Sequence, residues 1–253
     1  MAHMGGQGRL EPLAVSFSTF RKHSVNQFGK TWASACMVTL ALAGCGGGGG
    51  GGGDGGMTGN TAGLATSSAA LMTTLATLPT EGLSVAEQDS LAFMREEEKL
   101  ALNVYTQLDG LWRGYTRVFG NIANSEASHT ESVRQLLVRY SLPDPTATLS
   151  AGVFQNATLQ NLYTQLVAAG SVSLVEGFKV GAAIEEIDMI DLNKALLETD
   201  NQDIMLIYQS LLKGSRNHLR SFVSNLSTQG LTYVPQYMAV ADYQAIVSTP
   251  MER

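Results

Sequence analysis

Four long stretches of this chain repeat apolar residues at helical spacing, and each carries ionisable side chains in the middle of its apolar arc. The spacing predicts helices over about 84–108, 116–140, 171–198 and 203–226. Ser84 with Glu87 three residues on is a capping-box start for the first, and Gly110 is expected to stop it. Pro143 and Pro145 forbid continuation of the second. Gly170 precedes the third, Asp200 and Asn201 follow it, and Gly230 closes the fourth. The links within the first pair and within the second pair are short, so each pair should be antiparallel neighbours. The link between the pairs is long and holds a short amphipathic helix near 158–168. The expectation is all-α: a four-helix bundle with one long crossover containing a short helix.

Placing side chains at 100° per residue brings polar groups inward on every helix. Glu98, and beside it Glu97, shares an arc with Leu91, Met94, Ala101, Tyr105 and Leu108. Glu126 and His129 fall among Phe119, Ile122, Val133, Leu136 and Leu137. Glu185 and Asp188 lie with Leu174, Phe178, Leu192 and Leu196, and Ser215 and His218 lie with Leu211, Leu219 and Phe222. A lone buried carboxylate would ordinarily neutralise, whereas a cation offsets several at once. Counting residues from the two short turns puts these groups at similar depth. The bland readings are solvated charge runs, such as Glu96-Glu97-Glu98-Lys99 and Glu185-Glu186, or ion pairs through Arg95 or Lys179. Inward placement on four helices together favours a metal site. Mixed carboxylate and imidazole donors suit iron or manganese, with copper and zinc left open by ligand type.

The start of the chain reads as an address. Arg21, Lys22 and Lys30 precede a short apolar run, 31–43, and then Leu42-Ala43-Gly44-Cys45. That order describes a secretory signal over 1–44, and Cys45 before a glycine tract resembles the lipidation site of bacterial lipoproteins. Residues 46–56 are glycine except Asp54, so 45–82 is expected to be a Gly/Ser/Thr-rich tether. The helical domain is then 83–253, on a membrane-anchored lipoprotein of the cell envelope. With Cys36 discarded and Cys45 acylated, no thiol remains for disulfides or for cysteine-ligated metal. Four of the 16 basic and one of the 22 acidic residues precede Cys45, leaving 12 against 21. Such a balance argues against nucleic acid, whose binding rests on neutralising phosphates.

The inward residues also resemble a known family. Glu98, Ala101, Asn103 and Tyr105 match the first-helix E-x-x-A-x-N-x-Y pattern of bacterioferritins and rubrerythrins, which favours Glu98 over Glu97. Glu126 and His129 match the second-helix E-x-x-H, Glu185 the third-helix Glu, Asp188 an alternate carboxylate of rubrerythrins, and His218 the fourth-helix histidine. One departure is plain: the fourth helix reads Ser215-Arg-Asn-His218 where E-x-x-H is expected. The whole chain resembles an uncharacterised group of bacterial lipoproteins with ferritin-like domains, and there the resemblance implies a fold without an activity.

The resemblance implies a ferritin-like bundle holding iron, as a di-iron site or one weakened by Ser215, with oxygen or peroxide chemistry. Tyr105 would hydrogen-bond a ligand carboxylate or donate an electron. The cysteine-ligated electron-transfer centre of rubrerythrins is absent, so an external reductant is implied. A closed storage shell fits a tethered chain poorly; a homodimer is compatible. The competing reading is a metal-free, surface-tethered binding or scaffold module. The C-terminal stretch, 233–253, is expected to cap an end of the bundle.

Overall fold

The structure, a computed structural model, describes residues 61–253, with side chains from 69 onward. The signal segment, Cys45 and the glycine tract lie outside the described residues. Seven helices and no strand are present among the described residues: α1 Thr61–Thr77, α2 Val85–Trp112, α3 Val118–Arg139, α4 Ala157–Gly170, α5 Leu174–Leu197, α6 Gln202–Thr228 and α7 Val240–Val247. The fold is all-α.

Helices α2, α3, α5 and α6 are the long ones. The main packing is α2 on α3 and α5 on α6, and contacts of α3 with α6 and of α2 with α5 close the ring. Short turns make the members of each main pair antiparallel. Bonds between helix ends set the rest: Trp112 Nε1, at the end of α2, donates to Gly170 O just before α5. Ser90 near the start of α2 meets the hydroxyl of Tyr208 in the first turns of α6 (2.9 Å). So α2 and α6 run one way, α3 and α5 the other. The connection after α3 carries the chain the length of the helices, with α4 packed on α2 and α5.

Local chemistry explains the boundaries. Ser84 Oγ accepts the Glu87 N–H while Glu87 Oε2 accepts the Ser84 N–H, so the capping box forms as the pattern implies. Gly110 does not end α2, which continues to Trp112. Gly110 is exposed with nothing within 4 Å of where a Cβ would lie, and the Trp112 anchor to Gly170 holds the extra turn. A second correction concerns the tether. Residues 61–77 are helical, and α1 packs against α3 and α6 with Leu75 5 % exposed. Ala, Leu and Met after residue 63 give this segment helix formers that the glycine tract lacks.

The C-terminal stretch lies along the flank of the molecule rather than over one end. Glu186, at the middle of α5 and fully buried, accepts the N–H groups of Gln236, Tyr237 and Met238 and the hydroxyl of Tyr233. Further on, Glu252 is gripped by Arg216 and Arg220 of α6. With α4 on one side and this strap on another, α5 is covered almost all round. That accounts for a helix apolar on nearly every face. Among the described residues, no helix is long and apolar enough to cross a membrane.

Candidate metal centre

The interior of the four long helices is layered. At one level Tyr105, Phe119, Phe178 and Phe222 pack ring to ring, with centroids 5.4–5.8 Å apart. Two glycines permit close approach beside the polar layer. A Cβ on Gly181 would sit 2.5 Å from the Phe222 ring, and one on Gly214 would sit 2.4 Å from the His129 ring. Apolar side chains from Leu91, Met94, Val133, Leu136, Leu192 and Leu211 fill the other level.

Between these levels the sequence-predicted residues converge. One ligand atom each from Glu98, Glu126 and His129 lies within 4.8 Å of the others, and the same holds for Glu126, Glu185 and His218. The two triads share Glu126. Its Oε2 lies 3.0 Å from His129 Nδ1, and its Oε1 lies 2.8 Å from His218 Nδ1. His129 Nδ1 is also 3.4 Å from Glu98 Oε2, and His218 Nδ1 is 3.4 Å from Glu185 Oε2. The imidazole rings stack at 5.5 Å. Tyr105 donates its hydroxyl to Glu185 Oε1 at 2.5 Å, with a longer contact to Gly181 O. Asp188 stands beside them outside either triad, accepting the Ser215 hydroxyl. Ser215 also bonds back to Leu211 O (3.0 Å), so it occupies the expected carboxylate position without reaching the triads.

Donor atoms around one small ion at about 2.0–2.2 Å lie about 3.0–3.4 Å from each other for right-angled to tetrahedral geometry. The histidine–carboxylate contacts, 2.8 to 3.4 Å, lie at or just below that spacing. A metal-free network of hydrogen bonds fits less well. His218 Nδ1 is close to Glu126 yet off the N–H direction, and it has no hydrogen-bond partner. Glu98 Oε1, Asp188 Oδ1 and both oxygens of Glu97 are likewise buried without partners. Orphaned buried polar atoms are uncommon and each costs about 1–3 kcal/mol. Here they cluster at one depth. The donor set and its spacing fit a divalent transition metal.

Without metal, the same groups pair by charge. Burial raises the pKa of Glu126, but the two imidazolium groups outweigh it and hold that carboxylate well below the ordinary range. Burial lowers His218, and Glu185 and Glu126 overcome it, raising the group to about 10. His129 is raised likewise by Glu126 and Glu98 against burial. Burial together with neighbouring carboxylates raises Glu98 and takes Asp188 up to about 8. Burial and the Glu185 carboxylate push the Tyr105 phenol up. The site therefore retains protons that its ligands must shed to bind metal.

Residues beyond the expected set matter as well. The run Arg95–Lys99 is buried throughout, not a solvated face. Arg95 pairs with Asp144, Glu96 accepts the N–H groups of Gln155 and Asn156, and Lys99 donates to Ser150 O and Val153 O. Those three pin the crossover, while Glu97 and Glu98 point in. Asp191, three residues after Asp188 on α5, was not singled out by the sequence pattern, although i, i+3 spacing puts it on the Asp188 side.

Residues 87–250 match the family model for an uncharacterized protein domain, DUF2202. The chain is 45% identical over 179 residues to the uncharacterized protein MJ0754 of Methanocaldococcus jannaschii, covering 71% of this chain and 96% of that protein. A crystal structure of hypothetical protein MJ0754 from Methanococcus jannaschii superimposes with a TM-score of 0.67 at 45% identity, over 70% of this chain and 99% of the other. The chain thus belongs to the DUF2202 family, and the matched segment holds the helices that build the polar layer, α2 (but for its first two residues), α3, α5 and α6.

Proposed function

We propose that the domain is a ferritin-like four-helix bundle that binds two divalent transition-metal ions, iron first and manganese second, on either side of Glu126. The observation that carries this reading is the pair of triads with one shared carboxylate. Glu98 and His129 would hold one ion, Glu185 and His218 the other, and Glu126 would bridge. When bound, such a pair would supply reductive activation of oxygen or hydrogen peroxide, in an oxidase-, peroxide-reducing or ferroxidase-type reaction.

The chain's own residues set the conditions for that chemistry. Tyr105 holds its phenolic proton against Glu185 Oε1 and so fixes the rotamer of that carboxylate. The aromatic level beneath excludes water, which strengthens charge interactions in the layer. Asp188 keeps one oxygen unpartnered beside the triads and is the group placed to take the role of the carboxylate that Ser215 lacks. With Cys36 in the signal segment and Cys45 acylated, reducing equivalents would come from an external donor. Lipidation at Cys45 would tether the domain to the membrane on the outer side.

Anaerobic loading of the domain with α1 retained, residues 61–253, with ferrous iron, followed by oxygen or peroxide, tests the reading. Two ions per chain and a new near-ultraviolet absorption on oxidation are expected. No bound iron and no spectral change would leave a metal-free tethered helical module, the competing reading.

A further inference from the structure

Outside the two triads lies a second group of carboxylates that the proposed centre does not use. Glu97 of α2 is 5 % exposed, and neither of its oxygens has a hydrogen-bond partner. It faces Asp191 of α5 within hydrogen-bonding reach, and two carboxylates can meet there only through a shared proton. Asp188, one turn before Asp191, adds a third charge near Glu97 and turns its own unpartnered Oδ1 to buried surroundings. Lys194 acts electrostatically on Asp191 from the outer side. Arg95 and Lys99, the cations flanking Glu97 in sequence, are committed to the crossover. An apolar-walled void of about 10 Å³ lies beside Glu97 and Asp188, between Leu100, Leu162 and Ile187.

We propose that Glu97 and Asp191 form a further divalent-cation site, in which a partly hydrated ion is held by two carboxylates before it passes Asp188 to the dinuclear centre. Hard divalent ions keep several waters and are satisfied by one or two carboxylates. Asp191 is only partly buried, whereas Glu97, Asp188 and Glu98 are buried, so the four carboxylates lead from the surface to the triads. An ion shared between Glu97 and Asp191 takes the place of the shared proton and faces oxygens that no other donor reaches. This assignment rests on the proposed centre for its direction of travel, but not for its ligands.

Equilibrium titration of the metal-free domain, residues 61–253, with manganese(II), read by the free-ion paramagnetic signal, counts the ions without any need for activity. The expected result is one weaker ion per chain in addition to those of the triads. Glu97→Gln and Asp191→Asn, separately, should each bind one ion fewer than the parent, with the tighter ions unchanged, and should fill the triads at least tenfold more slowly. Both substitutions keep size and shape, and far-ultraviolet dichroism checks that the helices persist. An unchanged ion count in either variant, or loss of the tight ions as well, overturns the assignment. A parent protein that binds no manganese at all refutes the dinuclear centre itself, a different outcome from a parent with the tight ions only.

Discussion

Gly214 is the position where one added methyl group would most directly displace a ligand of the proposed centre. A Cβ added there would lie 2.4 Å from His129 Cε1 and 2.5 Å from Nε2. Ordinary carbon contacts are about 3.5–4.0 Å, so the imidazole must retreat by roughly 1 Å or more. Its escape is outward, since His129 keeps 12 % of its side chain exposed while Glu98 and Glu126 stand on the inner side. For stability, two effects of Gly214→Ala oppose one another. Helix propensity favours Ala by about 1 kcal/mol, and overpacking costs about 1–3 kcal/mol. The metal-free variant should therefore lose no more than about 2 kcal/mol. Metal affinity should suffer more, because the ring leaves the Glu98–Glu126 cleft. Displacing a ligand's support typically costs about 10–100-fold, or about 1.4–2.8 kcal/mol. Calorimetric titration of manganese(II) or anaerobic iron(II) into the parent, Gly214→Ala, His129→Ala and the double variant decides it. The double variant should bind no more weakly than His129→Ala alone, since both changes remove the same ligand. Full affinity in Gly214→Ala, or strictly additive losses, would refute the placement of His129 at the metal.

Removing the metal should make stability fall with rising pH. His218, ordinarily near 6.5, is raised to about 10, and Asp188, ordinarily near 3.8, is raised to about 8. In each window the folded chain holds a proton that the unfolded chain has released, so stability falls as pH rises from about 4 to 10. Chelator-treated protein should show this in thermal melts, and metal should reverse it. Tyr105→Phe leaves Glu185 Oε1 without its donor and should lower the stability of the metal-free domain by about 1–3 kcal/mol. The ion count should not change. Glu186→Gln sets an amide against three backbone N–H groups and a phenol. It should cost about 2–4 kcal/mol and speed protease cleavage after Gly230; a resistant C-terminus would contradict the strap.

The helices could be read from the sequence because the apolar period persists along α2, α3 and α6, with a capping box at the start of α2 and prolines after α3. The inward polar residues could be read because each sits mid-arc among large apolar neighbours. What the pattern missed involves contacts distant in sequence. The run Arg95–Lys99 has the composition of a solvated face, and only the crossover turns Arg95, Glu96 and Lys99 into internal fasteners. Glu186 has no local sign of burial, since its donors come from a segment about fifty residues on. α1 was obscured because it follows a glycine tract and mixes Thr and Ser among its Leu and Ala. Gly110 carries a helix-stop signal that the distant Trp112–Gly170 bond overrides. Gly214 can be explained only once His129 is placed beside it.

Anomalous diffraction from crystals of the iron- or manganese-loaded domain addresses the dinuclear reading most directly. Two peaks are predicted, one between Glu98, Glu126 and His129 and the other between Glu126, Glu185 and His218. Density at neither position in fully loaded protein, with the histidines still paired to their carboxylates, would contradict the metal centre and leave the buried charges to balance among themselves.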